Sequence, residues 1–397
     1  MIFYLRPLGR QLFYGRETAI NNSESEIDIE IAKAIKSHDA VAPALNFFAY
    51  MAPAGIPLCY FTPCKEFFPE PLASLSSTEW QRLVDVMVEH GLVIKSRSDI
   101  SLLPEIQKAT RKKLDDKMSS NSIKDVVGFL ASISDNSRGG RLDEVHRLGW
   151  HLAAVARFAI YADLKDQLAV LLKLLDISGR VSINAWPDRA IISHKQGIEI
   201  CEILNGSNHH GVAIRINNLG QAWHRIGGYS RAEACFKQAL DVLNRNPESQ
   251  DKLVASLLGN FALLRRDQRQ IDGAAKYFRE ALDLVENECG LENQLVNICV
   301  NGLGRIIKIR DGAEKAIEFL GEALTKSVAA SGVKDHPNLA VVFCNLGLMQ
   351  LEIGKKELGK RSLVIAMQIA KKSLPKQHPM HKQILAHLQP FATAASK

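Results

Sequence analysis

The run Gly354-Lys355-Lys356-Glu357-Leu358-Gly359-Lys360 has the glycines and lysine of a phosphate-binding loop at the required spacing. Such a loop follows a strand, wraps backbone amides around phosphates and needs a Ser or Thr hydroxyl for magnesium. Arg361 stands in the hydroxyl position and the surrounding pattern is helical, so nucleotide binding is not expected there. Cys59 and Cys64 lie five positions apart with no second pair, and His209-His210 has no helical partner one turn away. Neither spacing suits a metal ion. No Gly-x-Ser-x-Gly elbow occurs, and Cys, His and Asp are combined at no spacing that would make a nucleophile and base. The chain is therefore expected not to be an enzyme, with no catalytic residue, metal or cofactor assigned.

The bulk composition agrees with a protein that works through its surface. Of 397 residues, 46% are apolar and 23% charged, an ordinary soluble balance. Seven cysteines without a pairing pattern, and no apolar signal segment behind Arg6 and Arg10, point to a reducing, cytoplasmic setting. Residues 40–64 carry no charge and are long enough to span a bilayer, but Pro43, Pro53, Pro57 and Pro63 interrupt them. Buried core, not membrane, is expected. The net charge of +7 resides in residues 331–397, where ten Lys or Arg face three acids. An acidic partner is expected to meet that end.

Four segments repeat, starting at Ala213, Ala255, Asn297 and Ala340, with offsets of 42, 42 and 43 residues. Gly220, Ala262, Gly304 and Gly347 occupy one small position; Ala232, Ala274, Ala316 and Gly359 occupy a second. Phe236, Phe278, Leu320 and Leu363 follow as bulky knobs, then Ala239, Ala281, Ala323 and Ala366. Gly227-Gly228, Gly273, Gly312 and Gly354 mark turns or lie near them. The connector Asp335-His336-Pro337-Asn338 is echoed by Gln377-His378-Pro379-Met380. Small and bulky positions in this order predict antiparallel helix pairs that stack into one continuous core.

The pattern resembles the tetratricopeptide repeat, in the 42-residue form of kinesin light chain and bacterial signalling proteins. The resemblance implies a mainly α fold: a right-handed α-solenoid whose first helices line a concave groove. Family positions that point inward select Asn217, Asn218, Gln221 and His224, then Asn260 and Arg266, then Asn301, Arg305 and Lys308, and finally Asn345. Each carboxamide offers a donor and an acceptor to an extended peptide backbone. Arg305 and Lys308 would add acidic selectivity. The alternative is that these Asn residues bond neighbouring helices. Upstream, a degenerate hairpin fits the same period, with Leu171 lying 42 residues before Ala213, Ala190 in the alanine slot and His194 in place of the knob.

Residues 41–117 follow another pattern. Thr78 to His90 forms an amphipathic helix with Thr78 as N-cap, closed by Gly91. Two short strands, Leu92–Ser96 and Ile100–Leu103, precede a helix from Glu105 to Asp116 that carries Gln107. The order resembles the winged-helix region of bacterial NB-ARC proteins of the STAND class, without their nucleotide-binding module. The expected division is 1–40 unassigned, 41–117 winged-helix-like, 118–140 linker, 141–212 degenerate repeats, 213–378 four repeats, and 379–397 a capping helix. The expected function is a sensor or scaffold that binds a protein or peptide. The alternative is a DNA-binding regulator, but nine basic residues match nine acidic ones across 41–117, so nucleic acid is not the expected partner.

Overall fold

Apolar residues recur at three- and four-residue spacing along most of the chain, and the computed structural model forms a helix at each such stretch. It describes residues 24–61, 64–134, 145–245, 251–285, 293–331, 336–374 and 379–394. Arg6, Arg10, Pro63, Asp335, Gln377 and His378, named above, lie outside them, as do residues 135–140 of the expected linker. The chain divides into two compact units, Met1–Leu174 and Leu175–Lys397.

In the first unit, helices α1 (Glu24–Ser37) and α2 (Val41–Phe48) precede strand β1 (Ile56–Pro57). Helix α3 (Ser77–Glu89), strands β2 (Val93–Lys95) and β3 (Asp99–Leu102), and helix α4 (Pro104–Lys112) follow. Strand β3 is central in the sheet, antiparallel to both neighbours, with Ile100 opposite Ile56 and Leu102 opposite Val93. The N-cap of α3 is Ser76, not Thr78: its hydroxyl accepts from the Glu79 amide while the Glu79 carboxylate accepts from the Ser76 amide. This reciprocal pair satisfies two end donors, which Thr78 inside the first turn cannot do. The helix after the strands ends at Lys112 rather than Asp116. Residues 118–133, expected as linker, instead belong to helix α5 (Asp116–Ile133), capped by Asp115. Ile123, Val126, Val127, Leu130 and Ile133 form its buried stripe, an amphipathic period that demands a partner. The unassigned N-terminal segment likewise contains α1.

The charge-free stretch is core. On α2, Phe47 meets Phe68 and Phe129 and Phe48 stacks on Phe61; Trp80 packs on Phe61 with centroids 4.8 Å apart, and Phe68 on Phe129 at 5.0 Å. Such a cluster accounts for an apolar run without lipid, and no described helix is long and apolar enough to cross a membrane. Gln107 Nε2 donates to the Phe48 and Met51 carbonyls at 3.1 and 2.9 Å, tying α4 to the end of α2. Helix α6 (Val145–Tyr161) packs on α5.

The second unit begins within α7 (Lys165–Ser182) and continues with α8 (Pro187–Asn205). Four hairpins follow: α9 (His210–Arg225) with α10 (Tyr229–Asn244), α11 (Asp251–Asp267) with α12 (Ile271–Asp283), α13 (Gln294–Asp311) with α14 (Ala313–Ser331), and α15 (Pro337–Glu352) with α16 (Lys356–Ser373). Helix α17 (Pro379–Ala394) closes the stack, burying Ile384 in the shared core. This is an α-solenoid of tetratricopeptide-type hairpins. A Cβ on Gly220 would lie 2.4 Å from the Phe236 ring; on Gly304, 2.8 Å from Leu320; on Gly347, 2.9 Å from Leu363. The small positions therefore exist because a knob occupies the space. Gly359 fits as closely, with Leu351 2.6 Å from its would-be Cβ, so the phosphate-loop glycines are packing and turn residues. Gly227 and Gly354 end their helices at φ +76° and +79°. In the second repeat Arg269 holds the same turn position at φ +62°, while Gly273 lies inside α12.

The degenerate hairpin repeats the knob contact with other atoms. The His194 ring lies where a Cβ on Gly179 would meet it at 2.4 Å, and Ser178 bonds Ser193 at 3.2 Å. His194 is 1% exposed and neither ring nitrogen has a hydrogen-bond partner among the described residues. Burial, aided by nearby Arg215 and Arg180, lowers its pKa to about 4.

Two measurements test these assignments. Gly220→Ala lowers stability by about 1–3 kcal/mol through overpacking, whereas Arg269→Gly raises it by about 1 kcal/mol by relieving a left-handed residue; urea midpoints read both. For His194, the folded pKa lies below the unfolded value of about 6.5, so its neutral form favours folding above that pH. That contribution is lost as pH falls from about 6.5 to about 4, at a cost of up to about 3 kcal/mol. His194→Leu, with the knob used in repeats three and four, flattens this acid loss; an unchanged pH profile would contradict the assignment.

Candidate functional site

Helices α9, α11, α13 and α15 are the first helices of the four hairpins. Each touches the next, α9 to α11, α11 to α13 and α13 to α15. No comparable contact links α10 to α12 or α12 to α14 among the described residues. The first helices are thus closer together and form the inner wall of the stack.

The ten inner-wall candidates do not behave alike. Asn260 Nδ2 donates to Asn217 Oδ1 at 2.8 Å, and Asn345 Nδ2 donates to Asn301 Oδ1 at 2.5 Å. Asn301 also donates to the Asn297 carbonyl at 2.9 Å, and Asn297 to that of Asn338 at 2.8 Å. Four of the selected carboxamides therefore bond across repeats, the alternative weighed for them. A second pairing runs near the helix C-termini. His224 Nε2 meets Asp267 Oδ2 at 2.9 Å, and Lys308 pairs with Glu352. Desolvation holds the His224 imidazole below its ordinary pKa despite Asp267, so at neutral pH the contact is a hydrogen bond from neutral imidazole to carboxylate. Arg266 pairs with Asp267 on its own helix at 2.8 Å.

These bonds join repeat one to two and three to four. Between repeats two and three neither occurs among the described residues. The positions that would carry the Asn pair are Gly259 and Gly302, and apolar side chains fill the space: Phe278 would lie 2.4 Å from a Cβ on Gly302, and Leu295 3.2 Å from one on Gly259. The acidic position of Asp267 and Glu352 is Ile309, 68% exposed. Arg305 is exposed one turn before it, and Asn218 and Gln221 are half-buried without a hydrogen bond in the chain among the described residues. Asp267, Glu352, Asn297 and Asn338 were not selected from the sequence. Their 41- to 44-residue spacing from their partners was the available signal.

Groups suited to catalysis are put to structural use. His209 Nδ1 accepts from the Gly211 amide at 3.0 Å and caps α9; His336 does the same for α15 through Asn338 at 3.3 Å. Burial pushes the Cys299 thiol up to about 12 and raises Cys235 and Cys344 too, which suppresses thiolate. No group of three His, Cys, Asp or Glu gathers among the described residues.

The Asn pairing is measurable. In a double-mutant cycle with Asn217→Ala and Asn260→Ala, urea unfolding gives a coupling of about 0.5–1.5 kcal/mol. Additive single effects would show that the two amides do not bond.

A family model described as tetratricopeptide repeat matches residues 212–245 and 254–294. No curated protein matches the chain in sequence. Among solved structures the chain is similar to BtubC (BKLC) from P. vanneervenii, at 18% identity over 60% of this chain and 95% of that one, TM-score 0.47. It is similar to a STAND protein with a tetratricopeptide repeat sensor from Pyrococcus horikoshii, at 12% identity over 88% of this chain and 50% of that one, TM-score 0.39. A third is the Rap conjugation gene regulator of plasmid pLS20, in complex with the Phr* peptide, at 12% identity and 84% of either chain, TM-score 0.46.

Proposed function

We propose that the chain is a non-catalytic interaction module, a tetratricopeptide sensor or scaffold that holds an extended peptide or protein segment on its inner wall. The observation that carries this reading is the uneven use of polar groups there. Where Asn pairs join repeats, their amides are partly spent; Asn218, Gln221 and Arg305 are not. Carboxamides hold a peptide backbone irrespective of its sequence, and an exposed guanidinium selects a carboxylate. Ile309 beside Arg305 offers an apolar contact. An acidic partner is further favoured by exposed Lys355, Lys356, Arg361 and Lys371 in the last repeat.

The N-terminal unit supports a winged-helix reading through its order α3, β2, β3, α4 with β1 added to the sheet. On that reading the protein serves a STAND-like signalling system in the cytoplasm, where its free thiols suit a reducing setting. Binding of DNA by this unit is the second reading. Against it, Lys113 pairs with Asp28 at 2.7 Å and Lys112 with Glu24, so α1 offsets much of the charge that phosphate contacts would need.

The test compares proteins retained by immobilised wild type and by a chain carrying Asn218→Ala, Gln221→Ala and Arg305→Glu. Among the described residues none of these positions takes part in a bond between repeats, so the thermal melt is expected to be unchanged while retention falls about tenfold or more. Identical retained proteins would overturn the proposal. A gel shift with duplex DNA at low salt is expected to show no complex; a salt-sensitive complex would favour the second reading.

A further inference from the structure

The first unit contains a cavity of about 1120 Å³, large enough for a drug-sized ligand. Residues from the end of α2, from α4, the start of α5 and the end of α6 line it, among them Tyr50, Arg111, Ser119, Arg157 and Phe158. Arg111 is its unusual member. The guanidinium is half-buried and lies over the Phe158 ring, 4.9 Å from the centroid. One N–H donates to the Ala49 carbonyl at the end of α2. No carboxylate pairs with it among the described residues; Asp116 and Asp163 also line the cavity but are exposed and make no ion pair with it. Arginine brings five N–H donors in a planar fork, so four remain for another partner.

The surroundings say what that partner would be. A cation withdrawn from water without a counter-charge is costly, and an anion in a fork geometry is its best complement. Burial lowers the Arg111 pKa and raises that of Tyr50, whose hydroxyl bonds Ser119. Arg157, exposed, adds a second positive charge to the lining. Tyr50, Phe158 and Tyr161 contribute aromatic surface, which suits a flat apolar body. We infer that this cavity binds a small organic anion, a carboxylate or phosphate monoester on an aromatic body, with the Arg111 guanidinium holding the anionic head. The lining comes from the first unit alone, and the inference does not rest on peptide binding by the repeats.

The full chain is titrated with phenyl phosphate, phenylacetate and the neutral phenylacetamide, and binding is followed by saturation-transfer NMR and thermal melting. At least one anion is expected to bind with Kd near or below about 1 mM, as fits a fragment of this size, and at least about tenfold tighter than the amide. The stronger of the two anions identifies the head group. Arg111→Gln is expected to reduce the anion to the level of the amide. Because that change also removes the bond to Ala49, Arg157→Gln serves as a second variant, expected to weaken the anion about threefold without affecting the amide. Raising the salt should likewise weaken the anion alone. Binding of the amide as tight as that of both anions, or no binding of either anion up to about 10 mM, overturns the inference. So does unchanged anion affinity in a folded Arg111→Gln chain.

Discussion

The repeats depend on one steric fact: in three of the four hairpins a bulky side chain of the second helix lies against the bare backbone of a glycine in the first. Phe236 on Gly220, Leu320 on Gly304 and Leu363 on Gly347 leave no room for even a methyl group. Close approach of this kind fixes both the depth and the rotation of the two helices, because dispersion contacts are lost quickly if either moves. With the hairpin set, its remaining apolar residues are committed to the next one. The core then runs without interruption from Ala255 to Ile384. Phe278 displays the coupling directly, since its ring also presses on Gly302 of the following repeat.

Rotation fixed in this way brings the same positions of successive first helices together, and their chemistry decides how each joint is held. At two joints an Asn pair and a carboxylate contact bridge the repeats; at the middle joint glycine, phenylalanine and leucine do so. Half-buried amides that satisfy each other favour one register. Apolar packing through glycines gives closeness instead. The stack is therefore chemically two pairs of repeats joined by an apolar contact, although the backbone period is nearly uniform. The N-terminal unit is built on another constraint, an aromatic cluster around Phe47, Phe68 and Phe129.

Most of the repeat architecture was legible because it rests on residue size at a fixed period, and size is written directly in the sequence. The small slots and the knobs lie where spacing put them. What was missed depends on side-chain pairing and packing that residue size at a fixed period does not record. Ser76 caps α3 because Glu79 returns the bond, and Thr78, two residues on, has the same cap preference without that geometry. Residues 118–133 read as linker because Lys117, Ser119, Ser120, Asn121 and Ser122 dilute the apolar stripe near the helix start. The Gly179–His194 contact escaped because the glycine is displaced by one position from the period, with Ser178 in the expected place. For the inner wall, the helix positions were legible; which amides bind each other was not, since that requires the offset between neighbouring helices.

The middle joint shows how such differences arise without damage. Removing one member of a buried polar pair leaves the other unsatisfied, whereas changing both can be nearly neutral. Both Asn positions are glycine there, so no orphaned amide remains. In the second pairing only the acid has been replaced, by Ile309, and Arg266 would be left without a partner if it had none nearby. Asp267, next to it on the same helix, supplies one, while still accepting from His224. One carboxylate thus serves two repeats, and the isoleucine is released from any structural pairing. Its exposed side chain, beside an exposed arginine, is an arrangement that stacking alone does not require.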